Sequence, residues 1–184
     1  MSRGGDNGAP DVLAFWRAAG PDKWFKKDAA FDAEIASRFS ALWREAAAGA
    51  LAGWEATADS TFALVIVLDQ FPRNMFRGKA DAFTTDALAR GVAERAIARG
   101  LDRQVPASER LFFYLPFEHS ENLADQERAI ALMGTLGSPD LTRWAELHAD
   151  VIRRFGRFPH RNSVLGRAST REEQAFLDAG GFAG

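Results

Sequence analysis

The chain contains no cysteine, one tyrosine and three histidines among 184 residues. The missing cysteine excludes a disulfide scaffold, a thiolate metal site and a cysteine nucleophile. Lysine is scarce too, with four residues against nineteen arginines. The formal net charge of −2 argues against a protein that coats nucleic acid. No apolar run exceeds the seven residues of Phe62 to Leu68, and a membrane span needs about 20. The segment MSRGGDNGAP has no apolar core of a secretory signal, so the expectation is a cytoplasmic chain. No GxSxG, P-loop or GxGxxG pattern occurs, which removes the common hydrolase and nucleotide-binding classes.

Helix signals fill almost the whole length. Thirty-four alanines favour helix generally. Residues 1–10 read as a polar, mobile tail, followed by one helical domain over 11–184. Pro10 and Asp11 open a helix closed by Gly20. Asp28 caps a long helix with Phe31, Ile35, Phe39 and Leu42 on one stripe. Thr57 caps the next, which carries the FALVIVL run as a helix buried on every side and stops before Pro72. Further helices run over 80–99, from Pro106 through Leu115, from a Ser120 cap to Leu136, from Ser138-Pro139 to Phe155, and from Ser169-Thr170 through Leu177. Pro116 predicts a kink or stop. The expected fold is all-α: about eight helices in stacked antiparallel hairpins, a tetratricopeptide-repeat-like array with no sheet.

Function is sought where polar residues interrupt the apolar pattern. Asp69 follows the buried run directly and requires a cationic partner, with Arg73 and Arg77 close behind. An Asp–Arg clamp that only fixes the turn and a functional carboxylate both fit. The segment YLPFEHSENLADQE supplies Glu118, His119, Glu121 and Asp125. With Ser120 as cap, Glu121 and Asp125 share a helix face. An imidazole beside carboxylates suits acid–base chemistry, but the spacing matches no metal motif, so no metal or cofactor is expected. His148 occupies an apolar-stripe position between Trp144 and Val151. The stretch RRFGRFPHRNSVLGRASTR, residues 153–171, holds six arginines and His160 without one acid. Guanidinium groups match carboxylate and phosphate in paired hydrogen bonds. FPRN at 71–74 and FPHRN at 158–162 echo each other as turns in which proline ends a helix and asparagine bonds nearby backbone.

Four blocks, LDQFPRNMFR, AFTTDALA, FYLPFEHSEN with DQE, and RFGRFPHRNSVLGRAST followed by EE, resemble the signature of a bacterial family of uncharacterised proteins. It is catalogued as domain of unknown function 924. The resemblance runs from about Asp11 to Leu177. It implies a fold similar to tetratricopeptide-repeat-like helical proteins and supplies no reaction, substrate or catalytic residue.

The leading functional expectation is a cleft that binds a small anion, such as a phosphorylated or carboxylate-bearing metabolite or an acidic peptide end. Its ligand-binding residues are Arg73, Asn74, Glu121, Arg157, His160, Arg161, Asn162 and Arg167. The alternative is an enzyme using the same cleft. His119 or His148 is then the base, and Asp69 or Glu118 the orienting carboxylate. A third reading makes the polar residues a buried network that only holds the fold. Five tryptophans and fifteen phenylalanines leave scope for an apolar patch shared with a second copy.

Overall fold

In the computed structural model, residues 8–182 are described, and every regular element among them is helical, with no strand. The tail expected at residues 1–10 lies outside the described residues as far as Asn7. Ala9 and Pro10 already belong to the first helix. Eight long helices and two short ones follow one another: α1 Ala9–Ala19, α2 Pro21–Trp24, α3 Ala29–Ala47, α4 Ala58–Val65, α5 Phe71–Met75, α6 Asp86–Ala98, α7 Ala107–Glu118, α8 Leu123–Gly134, α9 Pro139–Phe155 and α10 Arg171–Asp178. No helix among the described residues is long and apolar enough to cross a membrane.

The described chain divides into two compact units, one of residues 8–77 and 81–113, the other of residues 78–80 and 114–182. In the first, Asp28 caps α3 by accepting from the amides of Ala30 and Phe31. Thr57 and Ser60 form a capping box on α4. The core of this unit is aromatic. Phe15 stacks on Phe31, Phe39 on Phe71, and Trp16 meets Phe71 and Phe112 edge-on. All seven residues of the FALVIVL run are buried. Burying seven apolar side chains contributes roughly 10–20 kcal/mol before chain entropy is set against it.

Pro72 does not end the helical path. Between α4 and α5 the backbone widens into a π-helical turn, Ile66–Gln70, and continues. A proline lacks the N–H that would bond the carbonyl four residues back, here Leu68. The Thr85 hydroxyl donates to that carbonyl at 2.6 Å instead. The π-turn and the threonine together let the chain pass a proline that would otherwise stop it. FPRN is therefore helical, whereas FPHRN lies at a 3₁₀ turn, Pro159–Arg161. The echo is one of sequence, not of conformation.

In the second unit, α7 runs through Pro116 to Glu118. The proline sits in the last turn, where only one further turn's bonding is at stake. The amides of His119 and Ser120 close the end on Leu115 and Phe117. The cap of α8 is Asn122, which accepts from Ala124, rather than Ser120. Ser120 instead accepts from the Asn122 amide and donates to Asp125. Glu121 is thus in the connecting loop and does not share a helix face with Asp125. The short connection between α8 and α9 packs them side by side as a hairpin. Gly156 adopts a left-handed conformation, φ 68°, that terminates α9. Val151, Ile152 and Phe158 form a buried cluster joined by Phe155, Phe176 and Phe182.

Candidate functional site

Asp69, Arg73 and Asn74 belong to the first unit, and the other candidates to the second. Asp69 is fully buried on the π-turn. It accepts from Gln70 at 2.6 Å and lies 3.3 Å from Arg73. Arg73 also makes a paired hydrogen bond to Asp86, at 2.8 and 3.0 Å. Burial works against the charge on Arg73, but Asp69 and Asp86 outweigh it and hold the guanidinium more firmly protonated than usual. Asn74 and Arg77 both donate to Asp32. These contacts tie α5 to α3 and α6. They have the form of the clamp and include two carboxylates, Asp32 and Asp86, that sequence spacing did not single out.

The second unit gathers the rest. Gln126, fully buried, donates to the carbonyls of Glu118 and Ser120, both at 2.6 Å, and so fixes the α7–α8 connection. That connection presents Glu121 to the segment after α9. Glu121 accepts from Arg167 through both oxygens, at 2.7 and 2.9 Å, and from the Phe158 amide at 2.8 Å. Burial tends to raise its pKa. The Arg167 hydrogen bonds and the Phe158 amide win, and the carboxyl stays below its ordinary value.

Arg167 also donates to Asn162 and to the Phe158 carbonyl. Arg157 is held in the same fashion, with Nε and Nη2 on Glu173 at 2.6 and 2.8 Å. Glu173 accepts in addition from Asn162 and from the Thr170 amide, where it completes the capping box of α10. Hydrogen bonding from Arg157, ahead of the other donors, lowers the Glu173 pKa to about 2. Thr170 and Glu173 carry the spacing of a capping box, which was the available signal for Glu173. Its pairing with Arg157 had none. Arg153 and Arg154 reach Asp150 and Glu172. The basic stretch is therefore interleaved with acids from other elements, and Arg157, Arg167 and Asn162 are engaged within the chain.

Arg161 and the histidines form a different arrangement. Arg161 is buried, lies over the Phe158 ring with its guanidinium carbon 4.4 Å from the ring centre, and donates to the His119 carbonyl at 3.0 Å. His148 Nδ1 lies 3.0 Å from Glu118 Oε1 and 2.8 Å from the Trp144 carbonyl. Both neighbours accept, so Nδ1 carries the hydrogen and Nε2 is the basic atom of the neutral ring. Burial lowers the His148 pKa to about 4 against the opposing pull of the Trp144 carbonyl, and the charges of His119, Arg161 and His160 push the same way as burial. His160 falls to about 4 as well, through burial first and the Arg161 charge second. Phe182 packs against both imidazoles, at ring-centre distances of 4.3 Å and 5.4 Å. Sequence reasoning did not identify Phe182, a lone aromatic beyond the last helix. Among the described residues, no group of three or more acids and histidines has the arrangement of a metal site.

A comparison with curated proteins finds no match. A solved protein of unknown function from Agrobacterium tumefaciens is similar, with 50% identity and a TM-score of 0.90, over 93% of this chain and 97% of that one. A family model described as a bacterial protein of unknown function, DUF924, matches residues 12–181. Its span takes in both units and every candidate residue above, and the chain belongs to this family.

Proposed function

We propose that the second unit binds a small anionic molecule, bearing phosphate or carboxylate, at the cluster of Arg161 with His119, His148 and His160. The observation that carries this reading is buried Arg161 beside two imidazoles: its guanidinium lies over the Phe158 ring and donates to the His119 carbonyl, and that same ring meets both His148 and His160. Two neutral imidazoles under the field of a fixed guanidinium favour a negative ligand. Such a ligand in turn raises their proton affinity. Arg157 and Arg167 act one step away. They hold the 157–167 segment against Glu121 and Glu173, and so position Arg161 and His160. An acidic peptide end offers the same carboxylate chemistry. A cytoplasmic setting belongs to this reading as well.

The test is a thermal-shift series with inorganic phosphate, pyrophosphate, acetate and citrate at pH 7 and pH 5. A ligand at 100 times its Kd adds about 2.7 kcal/mol, a shift of roughly 5–10 °C in a protein of this size. The expected result is stabilisation that strengthens at pH 5 and is lost in Arg161→Ala and His160→Gln. No shift with any of the four anions at either pH sinks the reading.

A second reading, acid–base catalysis, is favoured by the Glu118–His148 contact. Glu118 orients the ring, and His148 Nε2 is the base that takes a proton from a bound nucleophile or water. Hydrolysis of activated phosphate and carboxylate esters, abolished by His148→Gln with ligand binding retained, supports it. Binding without turnover leaves the anion site as the whole function.

A further inference from the structure

The segment that follows α10 makes a complete Schellman turn. The Gly180 amide bonds the Leu177 carbonyl at 3.0 Å, and the Gly181 amide bonds the Phe176 carbonyl at 2.9 Å. Gly180 supplies the left-handed residue, φ 74°. Gly181 is required for a different reason. A Cβ there would lie 2.5 Å from the Phe176 ring and 2.6 Å from its carbonyl oxygen. This two-glycine turn reverses the chain and sets Phe182 on His148, Phe158 and His160. The His160 ring also hydrogen-bonds the Phe182 backbone.

What lies beneath Phe182 is unusual for an aromatic side chain. It covers two imidazoles, one of them paired with a buried carboxylate, in place of a wholly apolar surface. His160 Nδ1 is shut off from water and has no hydrogen-bond partner among the described residues. A buried polar atom in that state is costly, and hydration on opening relieves the cost. Phe182 is only partly buried, with its ring on His148, Phe158 and His160 and its backbone bonded to the His160 ring. Both imidazoles are partly buried; Phe158 packs on them from within the core, and Phe182, itself partly exposed, covers them above a nitrogen that gains from exposure.

We propose that Phe182 is a removable cover over the His148–His160 pair, seated by the Gly180–Gly181 turn, and that its displacement admits solvent and ligand to the imidazoles. The inference rests on the reading of this cluster as a binding site and adds its regulation.

The experiment is carbethoxylation by diethyl pyrocarbonate near neutral pH, followed by mass spectrometry of the peptides carrying His148 and His160. Phe182→Ala removes the cover. Gly181→Ala keeps the phenylalanine but unseats it. Both variants are expected to modify both histidines at least tenfold faster than the parent chain, with an unchanged helical circular dichroism spectrum. Acceleration at one histidine alone, or at neither, overturns the proposal. Should Phe182→Ala lose the native spectrum, Gly181→Ala and Phe182→Leu decide the question by the same criterion. The phosphate titration of the parent chain reads the binding site independently. Fast modification in the variants with no phosphate binding sinks the anion site and leaves the cover standing.

Discussion

Glu118 Oε1 lies 3.0 Å from His148 Nδ1, and the two side chains are 5% and 12% exposed. The contact dictates the tautomer. At pH 7 the ring should be neutral with hydrogen on Nδ1. Long-range ¹H–¹⁵N correlation spectra distinguish the two ring nitrogens. A protonated Nε2 with a bare Nδ1 would show that the carboxylate does not orient the ring. Glu118→Ala should mix the tautomers, while Glu118→Gln, which keeps an accepting oxygen, should preserve the Nδ1–H form.

The depressed histidine pKa fixes a pH dependence of stability. His148 titrates near 6.5 in an unfolded chain and at about 4 in the fold. Between those values the unfolded chain binds more protons, so unfolding becomes easier as pH falls. The stability is fully present above pH 6.5 and is lost progressively down to pH 4. The His148 share is on the order of 3 kcal/mol. His160 adds in the same direction. Urea unfolding at pH 7 and pH 4.5 checks this. His148→Gln should flatten the profile, and a variant with the parent's slope would refute the assignment.

Asp69 is buried against Arg73 on the π-turn. Its removal leaves Arg73 with Asp86 alone and strips the buried Gln70 amide and one face of the guanidinium of their acceptor. Loss of one member of a buried pair costs about 3–5 kcal/mol. Asp69→Ala should lower the Tm by roughly 6–20 °C at about 2–4 °C per kcal/mol. If phosphate binding by the second unit survives at lower temperature, Asp69 has no part in that site.

Thr85 holds the carbonyl that Pro72 cannot serve. Thr85→Val preserves shape but leaves a buried acceptor unmade, at a cost of about 1–3 kcal/mol. Thr85→Ser should retain most of the stability, since the hydroxyl is what matters. Equal loss in both variants would point to the methyl group instead.

The helices were legible in the sequence because their signals are local. Asp28 and Thr57 cap the helices they were expected to cap, and Ser138 and Thr170 cap the helices expected to open at Ser138-Pro139 and Ser169-Thr170. Pro72 and Pro116 misled because a proline's effect depends on distant or neighbouring hydrogen bonds. A threonine on another element rescues the first, and the second falls where the helix is about to end. Ser120 lost the cap to Asn122, two residues on, since either side chain is competent and local pattern does not rank them. The polar blocks marked where charged groups are buried. Which acid meets which arginine is long-range information. Asp86 for Arg73 and Glu173 for Arg157 carry no spacing rule.

The proline–threonine arrangement has a consequence for how this sequence can drift. While proline occupies position 72, the Thr85 hydroxyl is indispensable to the Leu68 carbonyl. Replace the proline by alanine and an amide becomes available to that same carbonyl, so the hydroxyl turns redundant. The two substitutions are then epistatic: Thr85→Val should be far milder on a Pro72→Ala background than alone. Each residue sets the tolerance of the other, and exchange at the pair has a favoured order, proline first.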